Sequence, residues 1–149
     1  MRLSSAFHVL GFALVFGATA ASASEVRVWG HTTQAPAGVF AVPAGLTTAV
    51  KISASPTHVL ALTSAGAVIA WGDNSKGQCT VPPGATSNVT AIVAGYLYSL
   101  ALRNDGTIVA WGDNTYNQIS VPPGLTTVRS IHADGRAVSA VLNDNTIRM

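Results

Sequence analysis

Two pairs of polar residues stand where they could do chemistry: Asp73-Asn74 and Asp113-Asn114, each directly after a glycine. Such oxygens in a loop could hold a metal ion or act as an acid and a base. The two pairs recur 40 residues apart in a repeated sequence, without the alternating acids of a calcium loop or His and Cys pairs at zinc spacing. Because Asp and Asn after Gly also suit turns in which the side chain bonds its own backbone, we expect a structural role, with no metal and no cofactor.

Other groups that could catalyse a reaction are few: one cysteine, Cys79, and four histidines, His8, His31, His58 and His132. No serine or cysteine lies in a nucleophile elbow, and the six acidic residues are too few and too regularly placed for a convincing acid and base pair. Cys79 aligns with Ile119 of the next copy, which favours inert packing over a reactive thiol. The sequence predicts a protein that is not an enzyme.

The positions at which the copies disagree are the candidates for ligand binding. Ser75-Lys76-Gly77 aligns with Thr115-Tyr116-Asn117, and Pro56-Thr57-His58 aligns with Tyr96-Leu97-Tyr98. Loops are where repeat folds vary and bind, and tyrosine is a common anchor in protein interfaces. A protein or surface ligand is therefore one interpretation, and neutral drift on solvent-exposed loops is the other. The candidate binding residues are Lys76, Tyr96, Tyr98 and Tyr116.

An internal repeat must position these loops. The segments from Ala61 to Gly84 and from Ala101 to Gly124 have nearly the same sequence and align without gaps. Their tryptophans, Trp71 and Trp111, are 40 residues apart. A weaker copy, with a longer loop, surrounds Trp29. Self-similarity at this period is typical of stacked repeat proteins.

Each copy reads as β structure. In the best copy, Ser99 to Arg103 and Thr107 to Gly112 are short apolar runs joined across Asn104-Asp105-Gly106, which is a strong hairpin signal. Both faces of the second run are apolar, so each face needs a cover that a neighbouring unit can supply. A period near 40 with about four strands per unit is the spacing of a propeller blade. We expect a repeated structural core of Trp29, Trp71, Trp111, Gly72 and Gly112.

The words of the repeat also resemble a known family. The segment from Gly95 to Leu102, followed by Asn104 to Asn114, resembles the repeat of the regulator of chromosome condensation superfamily. Its short period and its Gln-x-x-Val-Pro ending are similar to the compact bacterial branch, which includes propeller-type β-lactamase inhibitory proteins. The resemblance implies an all-β fold of β-propeller-type repeats, with four-stranded antiparallel blades.

The first 23 residues predict a secretory signal peptide. Arg2 precedes an apolar run from Ala6 to Ala20, and Ala21-Ser22-Ala23 offers a cleavage site before Ser24. The run is shorter than the roughly 20 residues that a spanning helix needs, so we expect no membrane span after cleavage and a secreted or periplasmic protein. The nuclear exchange and chromatin activities of the name-giving family are then not expected.

Charge excludes one class of partner. Without residues 1–23 the chain keeps seven of its eight basic residues against six acidic ones, a net charge of +1, and no basic cluster. No nucleic-acid footprint is present.

The remaining residues, 24–149, predict a partial β-propeller of about three repeats, at roughly 25–65, 66–105 and 106–149. Closed propellers have about four to eight blades. The sequence favours a truncated propeller, and it leaves open an assembling unit that associates through its open blade edges and an open arc of three blades.

The function predicted is that of a non-enzymatic β-propeller repeat module that binds a protein or surface ligand through its variable blade loops. The alternatives are a structural repeat segment of a larger cell-surface protein and a protein similar to the β-lactamase inhibitors.

Overall fold

The computed structural model describes residues 6–9, 12–17, 25–30, 38–39 and 41–149. Within them, β-strands follow one another in antiparallel sets of three, and the only helix is one 3-10 turn at Pro83–Ala85. The strands are β1 (Ala6–Val9), β2 (Phe12–Gly17), β3 (Glu25–Gly30), β4 (Ala49–Ala54), β5 (His58–Thr63), β6 (Val68–Gly72), β7 (Val89–Ala94), β8 (Tyr98–Arg103), β9 (Ile108–Gly112), β10 (Val128–Asp134), β11 (Ala137–Leu142) and β12 (Ile147–Arg148).

Four sheets account for these strands: β1-β2-β3, β4-β5-β6, β7-β8-β9 and β10-β11-β12. The predicted hairpin is confirmed, because Leu102 pairs with Ile108 across the turn that holds Asp105 and Gly106. The sheets have three strands rather than the four expected. After β6 and β9, side chains bond the loop backbone, and the Pro-Pro pair that follows each of these loops cannot donate ladder hydrogen bonds.

The first sheet includes residues that the sequence predicts as a signal peptide. Strands β1 and β2 lie within residues 1–23, and β2 pairs with β3 so that Ala13 faces Trp29. In the later sheets Val59 faces Trp71 and Ser99 faces Trp111. The N-terminal segment therefore supplies the first two strands of the sheet that contains Trp29.

Strands that are apolar on both faces pack against both neighbouring sheets, as expected. Val109 and Trp111 of β9 contact the cluster shared with the preceding sheet, whereas Ile108 and Ala110 contact the cluster shared with the following sheet. We call the contacts between successive sheets the first, middle and last junctions. Burial of these side chains on both faces of each sheet supplies the main stabilisation of the stack.

Trp71 and Trp111 are alike in their surroundings. Each is 7% exposed, and each indole N–H donates to a backbone carbonyl of the preceding unit, Val39 O at 3.0 Å and Gln78 O at 2.8 Å. The glycine that follows each Trp has a positive φ, 114° at Gly72 and 105° at Gly112. A Cβ there would lie 2.8 Å from the Cα of the facing strand residue, so glycine is required. The side chain of Trp29 lies outside the described residues.

Candidate functional site

The loop after β6 fixes its shape with its own side chains. Asp73 accepts hydrogen bonds from the backbone N–H of Ser75 at 3.0 Å and from the Gln78 amide at 3.0 Å. The Asn74 side chain accepts from the backbone N–H of Cys79 at 2.8 Å, and the Gln78 side chain accepts from the N–H of Lys76 at 2.9 Å. These polar groups hold a loop that presents Lys76.

The loop after β9 repeats this arrangement one unit later. The Gln118 amide donates to Asp113 at 2.8 Å, and its oxygen accepts from the backbone N–H of Tyr116 at 2.8 Å. The hydroxyl of Thr115, together with the Gln118 amide, holds the pKa of Asp113 below its usual value. Both Asp-Asn pairs therefore bond their own loop, and in the described part of the chain no cluster of three His, Cys, Asp or Glu side chains could hold a metal.

A buried polar network crosses the middle junction. His58 of β5 and Ser99 of β8 are both fully buried, and His58 Nε2 lies 2.8 Å from Ser99 Oγ. Ser99 Oγ donates to the carbonyl of Gln78 at 2.8 Å, the same oxygen that accepts from Trp111. On the other side of the ring, Ser55 Oγ lies 3.0 Å from Nδ1. The histidine thus links two sheets and a loop.

The His58 and Ser99 pair resembles a base and its nucleophile in distance only. Burial lowers the pKa of His58 to about 4, against a small opposing effect of Asp73, so the imidazole is neutral at pH 7. Because the hydroxyl proton of Ser99 goes to Gln78 O, Nε2 carries the ring proton and donates to Ser99. With both side chains 0% exposed, no substrate reaches them. Sequence reasoning missed this pair, whose only signal was His58 before the first Val-Leu-Ala-Leu.

The prediction that Tyr98 is a binding residue is wrong. It occupies the place of His58 in the next unit and is the first residue of β8, with 0% exposure. Its hydroxyl donates to the carbonyl of Ala137 at 3.2 Å across the last junction. Gly95 stands where the earlier unit has Ser55, and a Cβ there would overlap the Tyr98 ring. Tyr98 is therefore a packing residue and cannot contact a partner.

The other three candidates lie at one end of the sheets. Tyr96 is 44% exposed, Tyr116 is 61% exposed, and Lys76 is exposed with its Nζ 3.9 Å from Asp113. The turn before β8 and the loop after β9 meet there, because the N–H of Asp113 donates to the carbonyl of Leu97 at 2.9 Å. We call the surface made by residues 55–57, 74–77, 95–97, 114–117 and 134–136 the loop face.

Arg136 joins this surface although sequence reasoning did not single it out. Its guanidinium carbon lies 4.4 Å from the centroid of the Tyr116 ring, which is a cation–π contact. The adjacent Gly135 accepts a hydrogen bond from the N–H of Tyr96 at 3.1 Å. Arg136 follows the position that aligns with Tyr96, so comparison of the aligned loops was the signal that could have found it.

A groove of about 440 Å³ opens beside Tyr96 and Arg136. Its walls come from the first strands of three successive sheets and the turns that follow them, and include Ser53, Pro56, Val93, Tyr96, Ala133 and Arg136. An exposed aromatic ring and a guanidinium at the mouth of an apolar groove suit a ligand with an apolar part and an acceptor or carboxylate.

Cys79 lies beside Gln78 under the loop face, and its thiol donates to the carbonyl of Asp73 at 3.2 Å. Burial, and secondarily the negative charge of Asp73, raises the pKa of the Cys79 thiol to about 11. The thiolate is the reactive form, so this group is inert near neutral pH.

Among the described residues, none of the helical structure is long and apolar enough to cross a bilayer.

Two segments match a family model. Residues 49–78 and 89–118 match the regulator of chromosome condensation (RCC1) repeat. The chain carries RCC1-type repeats. The matched segments each run from the first strand of a sheet to the glutamine that braces the loop after the Trp strand, so the RCC1-type unit includes the loop that presents Lys76 or Tyr116. No curated protein sequence matches the chain.

Solved structures agree with the RCC1-type fold. The ectodomain of the receptor kinase CR4 from the moss Physcomitrella patens is 28% identical with a TM-score of 0.66, and the comparison covers 93% of this chain and 38% of that one. Prp20p from Saccharomyces cerevisiae is 20% identical with a TM-score of 0.69, covering 92% and 42%. Human WBSCR16 is 17% identical with a TM-score of 0.66, covering 92% and 44%. The chain thus spans about two fifths of the length of these proteins, as a partial propeller.

Proposed function

We propose that this chain is a secreted or periplasmic, non-enzymatic RCC1-type module that binds a protein or surface ligand through its loop face. The observation that carries the proposal is the meeting of Tyr96, Tyr116 and Arg136 from two successive units on one exposed surface. Aromatic and arginine side chains are the residues enriched among binding hot spots. Support for the class of function comes from a neighbour described by its binding to Gsp1p and histones, and from the same yeast protein bound to Kap60.

The location follows from the proposed removal of residues 1–23, and it determines the kind of partner. A secreted chain meets cell-surface and extracellular proteins. The loop face offers Lys76 and Arg136 beside two aromatic rings, so the partner we propose presents an acidic or carbonyl-rich loop with apolar side chains.

The test compares a loop-face variant with a charge-matched control. Arg136→Ala and Tyr116→Ala remove the cation–π pair, while Arg129→Ala removes an exposed arginine from β10 near the opposite end, where Val128 bonds Gly106. Immobilised wild-type and variant proteins are exposed to the extracellular protein fraction of the source organism, and retained proteins are quantified by mass spectrometry. We expect a partner retained by wild type and Arg129→Ala and reduced at least tenfold by the other two. Equal retention by all four proteins overturns the proposal.

A second function is favoured by the lengths of the solved relatives. The chain covers 38% of the moss receptor ectodomain, which itself belongs to a larger surface protein. As the alternative, we propose that the chain is a repeat segment of a larger cell-surface protein. Reading the coding sequence beyond Met149 tests this alternative, because further RCC1-type copies or an anchor there would support it. The version similar to a β-lactamase inhibitor is tested by titration against a class A β-lactamase, and unaffected hydrolysis at micromolar protein removes it.

A further inference from the structure

The groove beside Tyr96 is floored by the first strands of three successive sheets. These strands are β4, β7 and β10, and all the lining residues lie between Ser53 and Arg136. Each first strand pairs only with the middle strand of its own sheet, so it is an edge strand. The N–H and C=O groups that point away from the middle strand therefore need partners from outside the sheet.

At the middle junction a side chain satisfies one of these edge groups. The N–H of Ala94, the last residue of β7, donates to Ser53 Oγ of the preceding sheet at 2.9 Å. Ala94 faces Ser99 in the ladder, and the N–H of the next residue, Gly95, donates to the carbonyl of Tyr98. Because alternate residues of an antiparallel strand direct their N–H groups to opposite sides, Ala94 belongs to the set that points away from β8.

The last junction repeats this geometry without the acceptor. Ala133 of β10 is the counterpart of Ala94, since each faces the second residue of the middle strand of its sheet. Its N–H therefore points toward the preceding sheet, where Val93 stands in the place of Ser53. A valine side chain accepts no hydrogen bond. Val93 and Ala133 both line the groove, so the Ala133 N–H is available at its floor to an acceptor that enters from outside.

The charges at the mouth of the groove favour an uncharged acceptor. Asp134 and Arg136 flank Gly135 in the turn after β10, and both side chains line the groove. Their opposite charges cancel, and the Arg136 guanidinium is already engaged over the ring of Tyr116. A carboxylate in the groove would meet the repulsion of Asp134, whereas a neutral carbonyl oxygen would not.

The rest of the groove is suited to an apolar side chain. Its walls include Ala54, Pro56, Val93 and Tyr96, and its volume of about 440 Å³ lies within the range of ~300 to 1,000 Å³ that is typical of ligand pockets. Tyr96 is 44% exposed, so a segment lying in the groove would cover its ring and remove apolar surface from water.

We propose that the groove binds an uncharged, extended loop segment of the protein partner. One backbone carbonyl of that segment accepts a hydrogen bond from the Ala133 N–H, and an adjacent apolar side chain lies against Pro56 and Tyr96. This inference deepens the proposed function and rests on it for the existence of a protein partner. It makes the groove the desolvated anchor of the interface, with the rest of the loop face as the rim.

The experiment follows the backbone amides of the ¹⁵N-labelled protein by nuclear magnetic resonance while a blocked tripeptide, N-acetyl-Ala-Leu-Ala-amide, is added. The peptide supplies neutral carbonyls and one larger apolar side chain. We expect the Ala133 amide proton to move downfield as the peptide saturates at millimolar concentration. Ala94 is the internal control, because its N–H already donates to Ser53 and should stay in place.

Two variants that differ by one hydroxyl test the missing acceptor. Val93→Ser gives Ala133 the partner that Ser53 gives Ala94, whereas Val93→Ala shortens the side chain without adding an acceptor. We expect Val93→Ser to bind the peptide at least about fivefold more weakly than Val93→Ala, because the peptide carbonyl then loses its donor. A well-dispersed amide spectrum shows that each variant is folded.

Three results overturn this inference: an Ala133 amide that does not move up to the solubility limit of the peptide, equal affinities for the two Val93 variants, and tighter binding of the free-acid form of the peptide, which would assign the groove to a carboxylate. The partner-retention assay separates it from the proposed function. A partner lost by Arg136→Ala but fully retained by Val93→Ser supports the loop face and overturns the groove as its anchor. A peptide response at Ala133 with no partner retained by wild type supports the carbonyl site and overturns the proposed function.

Discussion

The middle and last junctions join the same kind of sheets with different chemistry. At the middle junction the hydroxyl of Ser55, a small residue, forms a hydrogen bond with the ring of His58. The other side of that ring forms a hydrogen bond with Ser99 of the next sheet. At the last junction Gly95 stands in the place of Ser55 and makes room for Tyr98, which reaches the carbonyl of Ala137. At each junction, one buried polar side chain thus forms a hydrogen bond from one sheet to the next.

This difference teaches that the RCC1-type unit conserves its backbone here while exchanging side chains in compensating sets. The ring residue, His58 or Tyr98, and the residue three positions before it, Ser55 or Gly95, differ together between the units. They do so because the space that a larger ring needs must be freed by a smaller neighbour.

The largest test of the comparison is Trp111→Ala. Removing the indole leaves a cavity in the middle junction, and we expect the free energy of unfolding to fall by about 3 to 5 kcal/mol. Urea unfolding followed by circular dichroism measures it. The exposed aromatic Tyr116 provides the matched control, since Tyr116→Ala should change stability by no more than about 0.5 kcal/mol. Equal losses for the two variants would show that the indole contributes no packing.

The next test exploits the titration of His58 at the middle junction. With a folded pKa of about 4 and an ordinary value near 6.5, the unfolded chain binds more protons between these limits. The contribution of neutral His58 to the free energy of unfolding is fully present above pH 6.5. It falls as the pH drops toward 4, by about 3 kcal/mol in all. Unfolding of wild type and His58→Gln is compared from pH 7 to 4.5. The variant should lose this slope, and identical slopes for the two would contradict the assignment.

The smallest test moves one side chain between junctions. Gly95→Ser restores the residue of the middle junction, but its Cβ would overlap the Tyr98 ring, so we expect a loss of about 1 to 3 kcal/mol. Adding Tyr98→His recreates the Ser55 and His58 pair and should recover part of that loss, with a coupling of about 1 kcal/mol in the double-mutant cycle. Strict additivity of the two substitutions would mean that the positions do not compensate.

Much of the fold could be read from neighbouring residues. The two strands predicted at Ser99 to Arg103 and at Thr107 to Gly112 match β8 and β9 to within one residue, and the turn at Asp105-Gly106 is where the sequence placed it. Alternation of apolar residues, turn chemistry and proline are local signals, so they survive without tertiary knowledge. The burial of Trp71 follows from the same reasoning.

The candidate site was less accessible to such reasoning. Tyr96 and Tyr98 are two residues apart and look equivalent in the sequence, yet one is 44% exposed and the other fully buried. The space that admits Tyr98 is made by Gly95 and by the next sheet, whose Ala137 accepts its hydroxyl. Arg136 meets Tyr116 from a different unit, which no local pattern records.

By itself the sequence determined that the chain is a β repeat of period 40 whose strands need a cover on both faces. These properties depend on which side chains are adjacent and how they alternate. Only the tertiary structure decided which loop residues face solvent, that His58 reaches Ser99, and that the Tyr98 hydroxyl reaches the carbonyl of Ala137. Those outcomes depend on the distance and rotation between stacked sheets, which arise from packing across units rather than along the chain.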